Sequence, residues 1–113
     1  DLDSTTNHRP TKIYLETIEP CTVLELSSAS KETLLVKIPK FERIFRIMLQ
    51  NNVAKYQDRL ISILSKSATE KYLDFMDTYP KFVNRIPQIY IASFIGISPE
   101  FLSKVRKKLA TQH

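Results

Sequence analysis

Two charged residues near the end of the chain, Glu100 and Lys104, have side chains that could hydrogen-bond the edges of nucleic-acid bases. A glutamate carboxylate can accept a hydrogen bond from N4 of cytosine, and a lysine ammonium can donate one to O6 or N7 of guanine. The two residues also have the spacing of an intrahelical ion pair, worth about 0.2–0.5 kcal/mol. Both interpretations stay open, and base contact is favoured because the two residues lie in the first turns of a predicted helix.

The outward face of that helix follows from its apolar positions. If Leu102 and Val105 point inward, a rotation of about 100° per residue defines an opposite, polar face. That face contains Glu100, Ser103, Lys104 and Lys107. We therefore expect Ser103 to join Glu100 and Lys104 as a base contact in a major groove.

A second group of residues is better placed to contact phosphates, which sets affinity and register rather than sequence preference. Residues 1–40 hold five Lys or Arg and six Asp or Glu, a net charge of −1, whereas residues 41–113 hold twelve and six, a net charge of +6. The basic excess therefore lies in the second part. Cations are also favoured near the C-terminus of any helix by the helix dipole, so charge alone does not decide. The predicted phosphate contacts are Gln88, Ser98, Arg106, Lys107 and Lys108.

The residues around Gly96, the chain's only glycine, predict two helices joined by a tight turn. Glycine adopts the left-handed conformation that such a turn requires. Ser98 is suited to cap the second helix and Pro99 to begin it. Ala92 is small where the second helix must approach closely, which an ordinary helical hairpin would not demand. This combination is typical of a helix-turn-helix, whose inward residues would be Ile91, Ile95, Ile97, Leu102, Val105 and Leu109.

A long helix is predicted over residues 39–64, because that stretch has no Gly or Pro after Pro39 and its apolar residues recur at helical spacing. It would be about 39 Å long, more than a small domain needs to cover itself. A dimer paired through this helix is favoured over a monomer with one core helix. The predicted dimer contacts are Phe41, Ile44, Phe45, Met48, Asn52 and Tyr56.

Shorter elements are predicted on either side of the long helix. Residues 12–18 and 22–26 alternate apolar and polar side chains, which predicts two strands. Ser27, Ser28 or Ser30 would cap a short helix that Pro39 interrupts. A capping box at residues 67–70 predicts a helix to about residue 79.

The chain resembles the bacterial transcription regulators typified by the cyclic-AMP receptor protein and the fumarate-nitrate reductase regulator. The alternating residues 23–27 look like the end of the β-roll that binds the effector in that family. The similarity to the family's C-terminal half lies in residues 60–64, 70–72, 79–80, 85–100 and 102–106.

The resemblance implies a homodimer with two recognition helices in successive major grooves, control by a small effector, and contact with RNA polymerase. Glu100 and Lys104 match family positions that contact bases, and Pro99 stands at a base-contact position that is often basic. Thr11 and Lys12 do not reproduce the Arg-Ser pair of cyclic-nucleotide binders, so the effector is unspecified. One cysteine cannot complete an iron–sulfur ligand set, and no cofactor is expected in this chain.

Together these features predict an α+β, mainly α chain without a full wing. Residues 1–38 would be the end of a β-roll, 39–64 a dimerisation helix and 65–113 a DNA-binding domain.

The apolar stretches are too short or too polar to span a membrane, and the single cysteine favours a reducing compartment such as the cytoplasm. Enzymatic activity is not expected, because both histidines lie near the termini. The competing hypothesis is a protein-interaction module in which the helix-turn-helix is only a scaffold. No metal site is expected at Glu70, Asp74 and Asp77, where a solvated helix face is favoured.

Overall fold

The computed structural model describes residues 2–112, most of which lie in six α-helices. No β-strand occurs within these described residues. The helices are α1 (Leu2–Asn7), α2 (Ser28–Lys37), α3 (Lys40–Ser65), α4 (Ala68–Thr78), α5 (Gln88–Ile95) and α6 (Pro99–Thr111). None of the helices in this part of the chain combines the length and apolar character of a membrane span.

The chain forms two compact units, one ending at Gln50 and the other starting at Asn51, so the division falls inside α3. In the first unit, Ser27 caps α2 by accepting a hydrogen bond from the Ser30 N–H at 3.1 Å. The predicted short helix and its cap are therefore confirmed. The six-residue helix α1 was not predicted.

The two strands predicted over residues 12–18 and 22–26 are wrong. These residues adopt no regular secondary structure, and Leu15 and Leu24 are fully exposed. An alternating pattern becomes a stable sheet only when partner strands bond its backbone and an apolar layer covers one face. Residues 2–112 contain no strand that could pair with them, so the structure does not show the β-roll end that the resemblance implies.

The core belongs to the second unit and is shared by α4, α5 and α6, which contact one another pairwise. The linker between α4 and α5 adds Val83 and Ile86, and Ile97 and Leu109 pack at the margin. All of these partly buried residues are aliphatic, as expected for the edge of a small apolar core. The fully buried members are Tyr72, Phe75, Ile91, Ala92, Ile95, Leu102 and Val105.

Helix α4 begins with the predicted capping box. The Ser67 hydroxyl accepts from the Glu70 N–H at 3.3 Å, and the Glu70 carboxylate accepts from the Ser67 N–H at 2.7 Å. Hydrogen bonds from the Ser67 side chain and backbone lower the pKa of Glu70. Lys66 donates to the Asp74 carboxylate, and this bond raises the pKa of the lysine. Two of the three carboxylates of this helix face thus have partners within the protein.

Helix α3 spans 26 residues, and none of them is buried. The segment has no interior Gly or Pro, so intrinsic propensity does not disfavour a helix at any of its positions. Its large apolar side chains remain accessible, with Ile44 49%, Met48 53% and Leu64 78% exposed. The helix therefore offers apolar surface along its length that the described chain does not cover.

Candidate nucleic-acid interface

The turn between α5 and α6 has the conformation predicted for Gly96. Its φ is 75°, in the left-handed region, and it ends α5. The Gly96 N–H donates to Ser93 O at 3.3 Å, and the Ile97 N–H donates to Ala92 O at 3.0 Å. A Cβ at position 96 would stand 3.8 Å from the Ile63 side chain, an ordinary contact. The backbone conformation, not lack of space, is therefore what requires glycine.

Helix α6 begins as its first two residues predict. Ser98 lies in an extended conformation and accepts a hydrogen bond from the Phe101 N–H at 3.2 Å. Pro99 occupies the first helical position, where its missing N–H has no intrahelical role. The start of the helix, and hence the position of Glu100 in its first turn, is fixed by these local interactions.

The inward residues of α5 and α6 lie as the sequence predicts. Ile91 and Ile95 are buried on α5, and Leu102 and Val105 are buried on α6. Ala92 is 0% exposed, so no larger side chain would fit there without displacing its neighbours. Ala92 thus belongs to the core that α4, α5 and α6 share, and the buried Leu102 and Val105 define the face of α6 that is directed into it.

The outward face of α6 is polar and accessible. The predicted base contacts Pro99, Glu100, Ser103 and Lys104 are all exposed. Glu100 and Lys104, both of which the structure describes, form no ion pair with each other. Both side chains are thus available to an external partner, as the base-contact interpretation requires.

The predicted phosphate contacts lie on α5, at the cap of α6 and on α6 itself. Ser98, Lys107 and Lys108 are exposed, whereas Gln88 at the start of α5 and Arg106 on α6 are partly buried. Four cations and one carboxylate lie on α6, so the helix presents a net positive charge. Such a surface attracts a polyanion, and the attraction falls with ionic strength.

Sequence reasoning missed two features of the region. Phe101 is 49% exposed beside Glu100, although its type suggested no outward role. Arg59 on α3 lies with its guanidinium carbon 4.0 Å from the centre of the Phe94 ring on α5. Phe101 could have been found from the sequence, because it is an aromatic residue of α6 that does not fall at the inward positions 102, 105 and 109. The contact of Arg59 depends on the tertiary fold.

The predicted dimer residues recur every three or four positions along α3. Phe41 and Phe45 are partly buried, with ring centres 6.5 Å apart. Tyr56 is 69% exposed. Ile44, Met48 and Asn52 are exposed as well. These residues are accessible to a second copy, and their role as an interface stays a prediction.

A groove of about 660 Å³ runs beside the three-helix core, between the second half of α3 and helices α4 and α5. Its lining mixes cations such as Lys55 and Arg59, carboxylates such as Asp58, and aromatic rings. Opposite charges are interspersed, which gives the groove no clear preference for an anion or a cation. Within residues 2–112, no group of His, Cys, Asp or Glu is arranged to hold a metal ion.

Comparison of the chain with protein-family models, curated protein sequences and solved structures finds no match.

Proposed function

We propose that this chain is a sequence-specific double-stranded DNA-binding transcription regulator that acts as a homodimer. The observation that supports this most directly is the exposed polar face of α6, on which Glu100, Ser103 and Lys104 are accessible and free of mutual ion pairing. A helix held by two others through its opposite face, after a tight turn, suits insertion into a major groove about 12 Å wide.

The distribution of charge supports the same proposal. Lys107 and Lys108 are exposed one turn beyond Lys104, where they would meet phosphates rather than bases. Contacts of this kind supply non-specific affinity, whereas Glu100 and Lys104 supply discrimination. In the proposed mechanism, one set of side chains on α6 supplies affinity for DNA of any sequence, and another set on the same helix supplies the preference for a particular sequence.

The homodimer is proposed from α3. Its uncovered apolar side chains include the predicted interface residues Ile44, Met48 and Tyr56. A twofold pair of such helices would bury this surface and present two copies of α6 to a two-part DNA site. Control by a small effector and contact with RNA polymerase are proposed only because the family resemblance implies them.

The test is a selection of bound duplexes from a random pool, followed by affinity measurements over a series of salt concentrations. The logarithm of the association constant should fall with the logarithm of salt concentration with a slope near −0.9 per neutralised phosphate, as for B-DNA. Absence of any complex at low salt would refute the proposal.

Two lysine variants separate base contact from phosphate contact. Lys104→Ala should change the selected sequence and cost about 1–3 kcal/mol on the preferred duplex. Lys107→Ala should weaken binding to all duplexes similarly and reduce the salt slope by about one. Lys37→Ala, at the end of α2, is the matched control. If Lys104→Ala and Lys107→Ala weaken every duplex equally, Lys104 does not contact a base.

The second candidate function is a protein-interaction module, favoured by the 26 residues of α3 of which none is buried. Under this alternative the dimer forms, but DNA affinity stays weak and independent of sequence. Sedimentation of the Met48→Glu variant, together with the duplex selection, distinguishes the two functions. A dimer that is lost in Met48→Glu while the wild-type chain selects no sequence would favour the interaction module.

A further inference from the structure

Arg59 makes two contacts with a single residue of α5. Its Nη2 donates a hydrogen bond to the Phe94 carbonyl oxygen at 2.9 Å, and its guanidinium carbon lies 4.0 Å from the centre of the Phe94 ring. The guanidinium group thus donates a hydrogen bond through its edge while its planar face stacks on the Phe94 ring. A lysine ammonium has no planar face and could not make both contacts in this way.

The position of Phe94 explains why this contact matters. Its carbonyl belongs to the last turn of α5, where backbone oxygens lack amide donors from their own helix. Ala92 and Ser93 supply the carbonyls that receive the turn amides. Arg59 satisfies the next one, and its positive charge is favourable at the negative end of the helix dipole.

A neighbouring residue on α3 contacts the same turn. Ile63, one helical turn beyond Arg59, lies 3.8 Å from where a Cβ of Gly96 would stand. Ile63 and Arg59 both belong to the unit that begins at Asn51. The second half of α3 therefore lies against both the last turn of α5 and Gly96, where the chain turns from α5 towards α6.

We propose that Arg59 is a positioning residue that holds the end of α5 and the turn, and thereby sets the placement of the outward face of α6. Arg59 touches no predicted base or phosphate contact. Its effect on DNA binding would be indirect, through the fraction of molecules in which α6 is correctly placed. The DNA-binding part of this inference rests on the proposed function, whereas the part about the turn does not.

The first experiment measures amide hydrogen exchange of the full chain by NMR. Removing a charged hydrogen bond and a cation–π contact in Arg59→Ala should speed exchange at Gly96 and Ile97 by about tenfold. Exchange at Lys71, whose N–H bonds to Ser67 O in the first turn of α4, should not change. Arg59→Lys should give an intermediate rate, because it keeps the charge and loses the planar contact. Lys55→Ala, one turn earlier on α3 and beside the same groove, is the matched control.

Unchanged exchange at Gly96 and Ile97 in Arg59→Ala would overturn the inference. Equal acceleration at Lys71 would also overturn it, because Arg59 would then stabilise the whole unit rather than position the turn.

The second experiment measures DNA affinity of the same variants. Arg59→Ala should weaken binding to the preferred duplex by about tenfold with an unchanged salt slope, since no phosphate contact is lost. A slope reduced by about one would instead mean that Arg59 neutralises a phosphate, which contradicts positioning. If the wild-type chain binds no duplex, the proposed function fails, and the exchange rates alone decide the role of Arg59.

Discussion

Replacing Gly96 by alanine isolates the energetic cost of the turn between α5 and α6. The residue has φ 75°, and forcing an ordinary L-residue into the left-handed region costs about 1–2 kcal/mol. The added methyl group would meet Ile63 at 3.8 Å, which is normal contact and adds little repulsion. We therefore expect the free energy of unfolding to fall by about 1–2 kcal/mol, nearly all from backbone strain.

The assay is urea denaturation of the full chain followed by circular dichroism, with thermal unfolding alongside. For a domain of about 60–100 residues, each kcal/mol should lower the Tm by about 4–8 °C. The m-value should stay the same, because the surface exposed on unfolding does not change.

Gly96→Asn separates strain from crowding. Asparagine tolerates the left-handed region better than alanine but is larger. If strain dominates, Gly96→Asn is more stable than Gly96→Ala. The alanine substitution at position 96 should also cost the same in an Ile63→Ala background, where the two Cγ atoms nearest the added methyl group are removed. An asparagine variant less stable than the alanine variant, or an alanine variant as stable as wild type, would refute the reasoning.

Three further predictions concern other parts of the second unit. Leu102→Ala, at a side chain with 0% exposure, should lower the free energy of unfolding by about 2–5 kcal/mol in urea denaturation, whereas Ser103→Ala should change it little. Phe101→Ala should reduce preference for thymine-containing duplexes in the selection assay, because an exposed aromatic side chain can contact the thymine methyl, and an unchanged selected sequence would contradict this. The lowered pKa of Glu70 means that its stabilisation is complete above pH 4.5, the ordinary value, and is lost as pH falls through the lowered one. In acid titrations of stability, Glu70→Gln should therefore lose less than wild type, and parallel curves would contradict the assignment.

The features that could be predicted from the sequence are those set by short-range interactions. The Ser67–Glu70 capping box, the Ser98 cap and the left-handed Gly96 each depend on residues within three positions of one another. The inward positions of α5 and α6 follow from helical periodicity. These features explain why the predicted base contacts lie on an exposed face of α6, whereas their contact with DNA stays a prediction.

The features that could not be predicted depend on distant parts of the chain. The alternation around Leu15 and Leu24 indicated strands, but a strand also needs a partner that its own sequence does not specify. Arg59 bonds to a carbonyl 35 positions away, and no local pattern marks that partner. Whether Glu100 and Lys104 pair with each other likewise depends on side-chain positions that the sequence does not give, and their contact with bases stays a prediction.

No residue of α3 is buried, and this has a thermodynamic consequence. In proteins, helices gain most of their stability from tertiary packing, so a helix with no buried side chain depends strongly on whatever covers it. Covering by a second copy would couple folding to association, and the free energy of unfolding would then rise with the concentration of the chain. The Tm would then depend on the concentration of the chain as well as on its sequence. In a cell, the fraction of folded protein would depend on the number of copies present.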